Sequence, residues 1–241
     1  MQYYEGKGKL RYYDSPAWGE LCRRVYGRDL KQISTVTTYE MELLYSELDV
    51  SPGSRILDIG CGPGYISAEI AGHYRAHVTG IDIDDLAIAH ANRVFANHPL
   101  LDFQVADGNE ISFEPCSFDV ICFFDTLYFT GTADRLRVLL DRYLRLLKPE
   151  GKLVIFWSAG ESAANETQVG QWGLNKNVPC KTFDLTQSNR SFWRRAKTEL
   201  LAMKSELRRE IPKTYKQVLD ECRHAESNME NIYRWLYIYT R

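Results

Sequence analysis

Between residues 55 and 158, five short apolar runs alternate with helical patterns, and this alternation constrains the fold more than any other feature. The runs are RILDIG (55–60), HVTGIDI (77–83), LDFQVAD (101–107), FDVICFFD (118–125) and KLVIFWS (152–158). YISAEIAGHY (65–74), DLAIAHANRVFAN (85–97) and ADRLRVLLDRYLRLLKPEG (133–151) read as helices, the last stopped by Pro149 and Gly151. Strands and helices at this spacing build right-handed crossovers and a mostly parallel sheet. Near-continuous apolar strands such as VICFF suit a sheet covered on both faces. The fold class is therefore α/β, a doubly wound sheet. The closing YRWLYIYTR has strong β character, and 231–241 is expected to return to the sheet as its last, antiparallel strand.

The flanks read differently. Thr37 stands three residues before Glu40, a capping-box spacing, and Met41, Leu44, Tyr45 and Leu48 then share a helical face. After 158 the alternation stops, and 159–185, with several glycines and asparagines, reads as a loop. A long helix is expected over 187–211, with an apolar stripe of Trp193, Ala196, Leu200, Met203, Leu207 and Ile211. Pro212 breaks it, and a second helix runs to about 224. A chain of 241 residues suits a single domain: an N-terminal helical part (1–50), a core (51–158), a helical cap (159–230) and the final strand.

Composition excludes several classes. The net charge of −2 argues against a general nucleic-acid binder. Six scattered cysteines form no C-x-x-C pair, so neither a zinc site nor a disulfide framework is indicated, and a reducing cytoplasm is the expected compartment. The N-terminus lacks the apolar segment of a secretory signal, and no apolar run is long enough to span a membrane.

Chemistry begins at LDIGCGPG (57–64). In a doubly wound sheet, ligands sit beyond the carboxyl ends of the strands, so the loop after strand one is the first place to look. Alternate glycines let the backbone turn tightly and approach a ligand. The dinucleotide pattern G-x-G-x-x-G fails, because Tyr65 stands where its third glycine belongs. The spacing Asp58-x-Gly60-x-Gly62-x-Gly64 instead resembles motif I of the class I S-adenosylmethionine (SAM)-dependent methyltransferases. An acid beside the loop suits the ammonium and sulfonium of SAM and would repel a diphosphate.

That resemblance continues in order along 55–158. It implies a Rossmann-like sheet with an N-terminal helical lid and a helical insertion after strand five, and SAM as cofactor, leaving S-adenosylhomocysteine (SAH). By resemblance, Asp58, Gly60, Cys61, Gly62 and Gly64 form the cofactor loop. Asp82 holds the ribose hydroxyls, Ile83 packs on adenine, and Asp107 with Gly108 meets the adenine amino group. LLKPEG (146–151) looks like the family's turn before strand five, with Glu150 in place of a glycine.

The acceptor side is expected in the loop after strand four, FFDTLYFTGT (123–132). Phe124 faces the cofactor there, and Asp125 is the catalytic candidate, able to bind an acceptor's ammonium or take its proton; supporting a turn is its other reading. Tyr13, Trp18, Tyr128 and Trp157 are expected to line the acceptor pocket, with Trp172 and Phe192 nearby, whereas Trp193 is assigned to helix packing. The five histidines are assigned structural roles. Nine Lys/Arg against three Glu between 190 and 216 read as a solvated helix face. The resulting reading is a methyltransferase acting on a small molecule, without metal or membrane, with nucleic acid disfavoured and a homodimer compatible. Its rivals are an RNA or protein methyltransferase and a SAM-binding protein without transfer activity.

Overall fold

The computed structural model describes residues 11–241. Residues 1–10, the first part of the expected N-terminal lid, lie outside the described residues. Seven strands form one sheet: β1 (Arg55–Ile59), β2 (His77–Asp82), β3 (Leu101–Val105), β4 (Phe118–Phe124), β5 (Leu147–Ala159), β6 (Cys180–Asp184) and β7 (Tyr233–Thr240). Their order is β3-β2-β1-β4-β5-β7-β6. β1 to β5 pair in parallel, while β7 runs antiparallel to both β5 and β6.

The helices are α1 (Pro16–Tyr26), α2 (Thr38–Glu47), α3 (Tyr65–Tyr74), α4 (Asp85–Val94), α5 (Ala133–Leu146), α6 (Gln168–Lys176), α7 (Thr186–Ala202), α8 (Lys204–Glu210) and α9 (Pro212–Ser227). Local chemistry sets their starts. The Ser15 hydroxyl accepts from Trp18 N, with Pro16 following, and α1 ends on Gly27 in the left-handed region. Thr37 and Glu40 form the expected capping box on α2. Asp84 caps α4 by accepting from Leu86 and Ala87 N.

Both faces of the sheet are covered. On one face, Leu136, Leu140 and Tyr143 of α5 and Trp172 of α6 pack against Leu57, Ile121 and Ile155. On the other, Met41 and Leu44 of α2 and Ile70 of α3 meet Ile56, Val120 and Phe156. α2 is therefore part of the layer over the sheet rather than of a lid. A third cluster joins α1 to α7, α8 and α9 through Trp18, Cys22, Phe192, Leu200, Leu207 and Leu219, forming a helical cap at one end.

Three expectations about elements need correction. The loop expected over 159–185 contains α6 and β6. Its glycines serve close packing: a Cβ on Gly170 would lie 2.0 Å from the Ala164 carbonyl oxygen, and one on Gly173 would lie 2.2 Å from the Tyr239 ring. The long helix breaks at Met203, whose backbone leaves helical geometry, although the apolar stripe continues into α8. The helix expected to reach 151 ends at Leu146, because Leu147 already pairs with Phe118.

Candidate functional site

The carboxyl ends of β1, β2, β3 and β4 open into a cavity of about 1210 Å³, closed from the other side by the α1–α2 connector and by α7 and α9. Its floor is the glycine loop. Gly60 and Cys61 N both donate to the Ile81 carbonyl oxygen, at 2.8 and 3.0 Å, which ties the loop to β2. Gly60 and Gly64 have φ of 76° and 83°, in the left-handed region that glycine tolerates. A Cβ on Gly64 would lie 2.6 Å from the Phe103 ring. Gly62 differs: a Cβ there would meet only the Tyr12 hydroxyl, at 3.6 Å, so its bare backbone faces the cavity.

Three acids surround this loop. Asp58 is buried beneath it, accepts from the Ser67 hydroxyl at 2.5 Å, and is pushed up to about 7 by burial. Asp82 stands at the end of β2, where it accepts from Gly62 N at 2.8 Å and Asp84 N at 2.9 Å. Burial raises its pKa as well. The α4 cap is Asp84, so Asp82 is left to the loop and the cavity. Asp107 closes a turn by accepting from Asn109 N at 2.8 Å, and with Gly108 it lines the far wall. Ile83 is 68% exposed beside Asp82, an apolar platform open to the cavity. Of the cofactor residues expected from sequence, all but Gly64, which packs against Phe103, line one cavity, Phe124 included.

The acceptor end departs from expectation. The Asp125 carboxylate is already occupied: it accepts from Arg234 Nη1 at 2.7 Å and Nη2 at 3.1 Å, and from Thr35 N and Oγ1 at 2.8 and 3.0 Å. Both carboxylate oxygens are thus engaged by the protein, the arrangement expected of the supporting reading of Asp125. Tyr128 does line the cavity, its ring stacked on Trp157 with centroids 4.7 Å apart. Trp157 lies behind Tyr128 and does not line the cavity.

Tyr13 and Trp18 are likewise buried away from it. Tyr13 packs on His90 at 4.6 Å, and the Trp18 indole N–H donates to the Gln32 carbonyl oxygen. Tyr12 lines the cavity instead, its hydroxyl beside Gly62 of the glycine loop. Trp172 is buried and donates to Asp141, while Trp193, assigned to packing, lines the cavity. His224 lines it too, in contrast to its structural assignment.

Sequence reasoning missed the face of α9 and the role of Arg234. Lys213, Lys216, Gln217, Asp220, Glu221 and His224 recur at helical spacing and line the cavity, opposite buried Tyr215, Leu219 and Cys222. That polar stripe is written in the sequence of α9, beyond the apolar stripe of 187–211. Arg234 is the single charged residue in the strand YRWLYIYT, a signal that a buried partner was needed.

A family model described as a methyltransferase domain matches residues 56–151. That stretch of the chain is similar to methyltransferase domains. The chain is 26% identical over 174 residues to glycine/sarcosine/dimethylglycine N-methyltransferase from Actinopolyspora halophila, covering 70% of the chain and 30% of that protein. It is 33% identical over 143 residues to phosphoethanolamine N-methyltransferase from Triticum aestivum, covering 57% of the chain and 26% of that protein. The chain thus spans roughly a quarter to a third of the length of these curated relatives. In fold, the chain resembles Haemonchus contortus phosphoethanolamine N-methyltransferase 2, solved with phosphomonomethylethanolamine and SAH. The TM-score is 0.74 at 18% identity, over 95% of this chain and 59% of that one. It also resembles the cyclopropane synthase MmaA2 from Mycobacterium tuberculosis, with a TM-score of 0.73 at 16% identity, over 98% of this chain and all of that one. Among the described residues no helix is long and apolar enough to cross a membrane, and no cluster suited to a metal ion is found.

Proposed function

We propose that this methyltransferase moves a methyl group from SAM to the nitrogen of a small amine. The observation that carries this reading is the charge of the cavity. Seven carboxylates line it (Asp58, Asp82, Asp84, Asp107, Asp125, Asp220 and Glu221) against three lysines (Lys31, Lys213 and Lys216). Such a lining favours cationic ligands and disfavours a pyrophosphate or a nucleic-acid backbone.

The residues fit SAM. Gly62 offers bare backbone to the cavity, Asp82 and Asp107 offer carboxylates at the ends of β2 and β3, and Ile83 offers an apolar face. When bound, SAM supplies a methyl group already activated on a sulfonium, and displacement returns an electron pair to sulfur and leaves SAH. The protein's task is then alignment and exclusion of water. The connector, Tyr128, Trp193 and α9 enclose the acceptor end for that purpose. The two relatives named above are both called N-methyltransferases, in keeping with an amine acceptor. Scattered free thiols support the cytoplasm as the compartment.

Calorimetry with SAH, followed by SAH production from SAM with sarcosine, phosphoethanolamine and bulk tRNA as acceptors, tests the proposal. Binding of SAH with turnover of an amine is the expected result. Turnover of tRNA alone, or SAH binding without turnover of any acceptor, refutes it.

A further inference from the structure

Arg234 lies on β7, fully buried, and does not line the cavity. All five of its N–H donors are nonetheless committed. Nη1 donates to Asp125 Oδ1 at 2.7 Å and to Ser158 Oγ at 3.2 Å. Nη2 donates to Asp125 Oδ2 at 3.1 Å and to Glu40 Oε2 at 3.3 Å, and Nε donates to the Glu40 carboxylate at 3.3 Å. Asp125 itself sits at φ 59°, a backbone geometry that a side chain resists unless its surroundings impose it. Its second oxygen holds Thr35 through both backbone N–H and hydroxyl.

Thr35 belongs to the connector whose residues 30–35 form one wall of the cavity. Asp125 Oδ1 also receives the Tyr128 hydroxyl at 3.5 Å, and that hydroxyl accepts from Ser158 N at 2.6 Å. Every carboxylate and hydroxyl that Arg234 touches therefore either lines the acceptor end or caps α2, the helix that follows the connector. Stability alone gives little reason for such a cluster. A buried ion pair stabilises no better than apolar side chains of similar size, and this one holds two carboxylates with a single cation.

Building on the methyl-transfer reading above, we propose that Arg234 is a positioning residue that sets the shape of the acceptor end, fixing Asp125, and through it Thr35 of the connector and the Tyr128 hydroxyl. The cofactor half has its own ties: the glycine loop is held by Ile81 and Asp82, which share no hydrogen bond with the cluster among the described residues, and its link to the Asp125 loop runs through Thr126, which donates to the Ile59 carbonyl oxygen at 2.8 Å. Lysine cannot replace Arg234, because three donors on one nitrogen cannot grip Asp125 in two places while also meeting Glu40 and Ser158.

The test compares wild type with Arg234→Lys and Thr35→Val. Amide hydrogen exchange with SAH bound reports the connector directly. The Thr35 amide, protected by Asp125 in wild type, is expected to exchange at least tenfold faster in Arg234→Lys, while Gly60 and Cys61 amides keep their protection. Kinetics with the amine that wild type turns over are expected to show kcat/KM for acceptor lowered by tenfold or more, a loss typical of misplaced reacting groups, with SAH affinity within twofold of wild type. Should Arg234→Lys fail to fold, Thr35→Val, which removes only the hydroxyl bond, is expected to raise acceptor KM several-fold with SAH affinity unchanged.

Unchanged connector exchange and unchanged acceptor kinetics in the folded variants overturn the proposal. A parallel loss of SAH binding also overturns it, since that marks a merely structural role. Failure of the methyl-transfer reading looks different: wild type itself then turns over no amine, while the exchange comparison still reports on the connector.

Discussion

Asp82 illustrates how one carboxylate serves both fold and ligand. It holds Gly62 N and Asp84 N while lining the cavity, so on the proposed SAM-binding reading its removal slackens the loop and deletes a ligand contact together. Asp82→Ala is expected to weaken SAH binding by about 10–100-fold, the value of one or two charge-assisted hydrogen bonds, read by calorimetry. Asp58 predicts a pH dependence. Its folded pKa is raised to about 7 by burial, far above an unfolded carboxylate. Between the two values the unfolded chain is ionised while the folded chain keeps its proton, so apo stability from this group falls as pH rises and levels off above about 7. A cationic ligand favours the ionised form. SAM affinity is therefore expected to rise from about pH 6 to about pH 8 in wild type, and titrations of Asp58→Asn should lack that component. A pH-independent difference between the two proteins would separate Asp58 from the ligand.

At the scale of elements, the capping box on α2 carries a second load. Glu40 closes the box and also binds Arg234 from a fully buried position, with its pKa raised by burial. Thr37→Ala removes the cap together with the hydroxyl contact to Ser188 and is expected to cost about 1 kcal/mol, a fall in Tm of about 2–4 °C for a chain of this size, measured by thermal unfolding. The box was legible because it is local: two side chains three residues apart suffice. The five parallel strands were legible for a related reason, since burial on both faces writes a continuous apolar run into each. β6 was not legible, because CKTFD is a short edge strand with an exposed, polar sequence, and only pairing with β7 defines it. α6 was hidden by Gly170 and Gly173, which read as loop residues until their close neighbours are known. The site shows the same division. Acids at strand ends were found by position along the chain, whereas the occupancy of Asp125 depends on Arg234, 109 residues away.

Across the whole molecule, the acidic cavity and the basic cap helices place opposite charges at short range. SAM carries a sulfonium charge that SAH lacks, so its affinity should be the more sensitive to salt. Raising ionic strength from about 0.1 M to about 1 M, which shortens the Debye length from about 10 Å to about 3 Å, is expected to weaken SAM several-fold more than SAH in parallel titrations. Equal salt dependence would remove cavity charge as the basis of ligand choice. The sheet order has a consequence in time as well as in space. β7 lies between β5 and β6, so the strand made sixth has no neighbour in the sheet until the strand made seventh arrives. Arg234 arrives with it, and until then Glu40 and Asp125 face each other without their shared cation. During synthesis the cofactor loop can take shape well before the acceptor end, and the two halves of the cavity mature as separate events, the second governed by the insertion of a single strand.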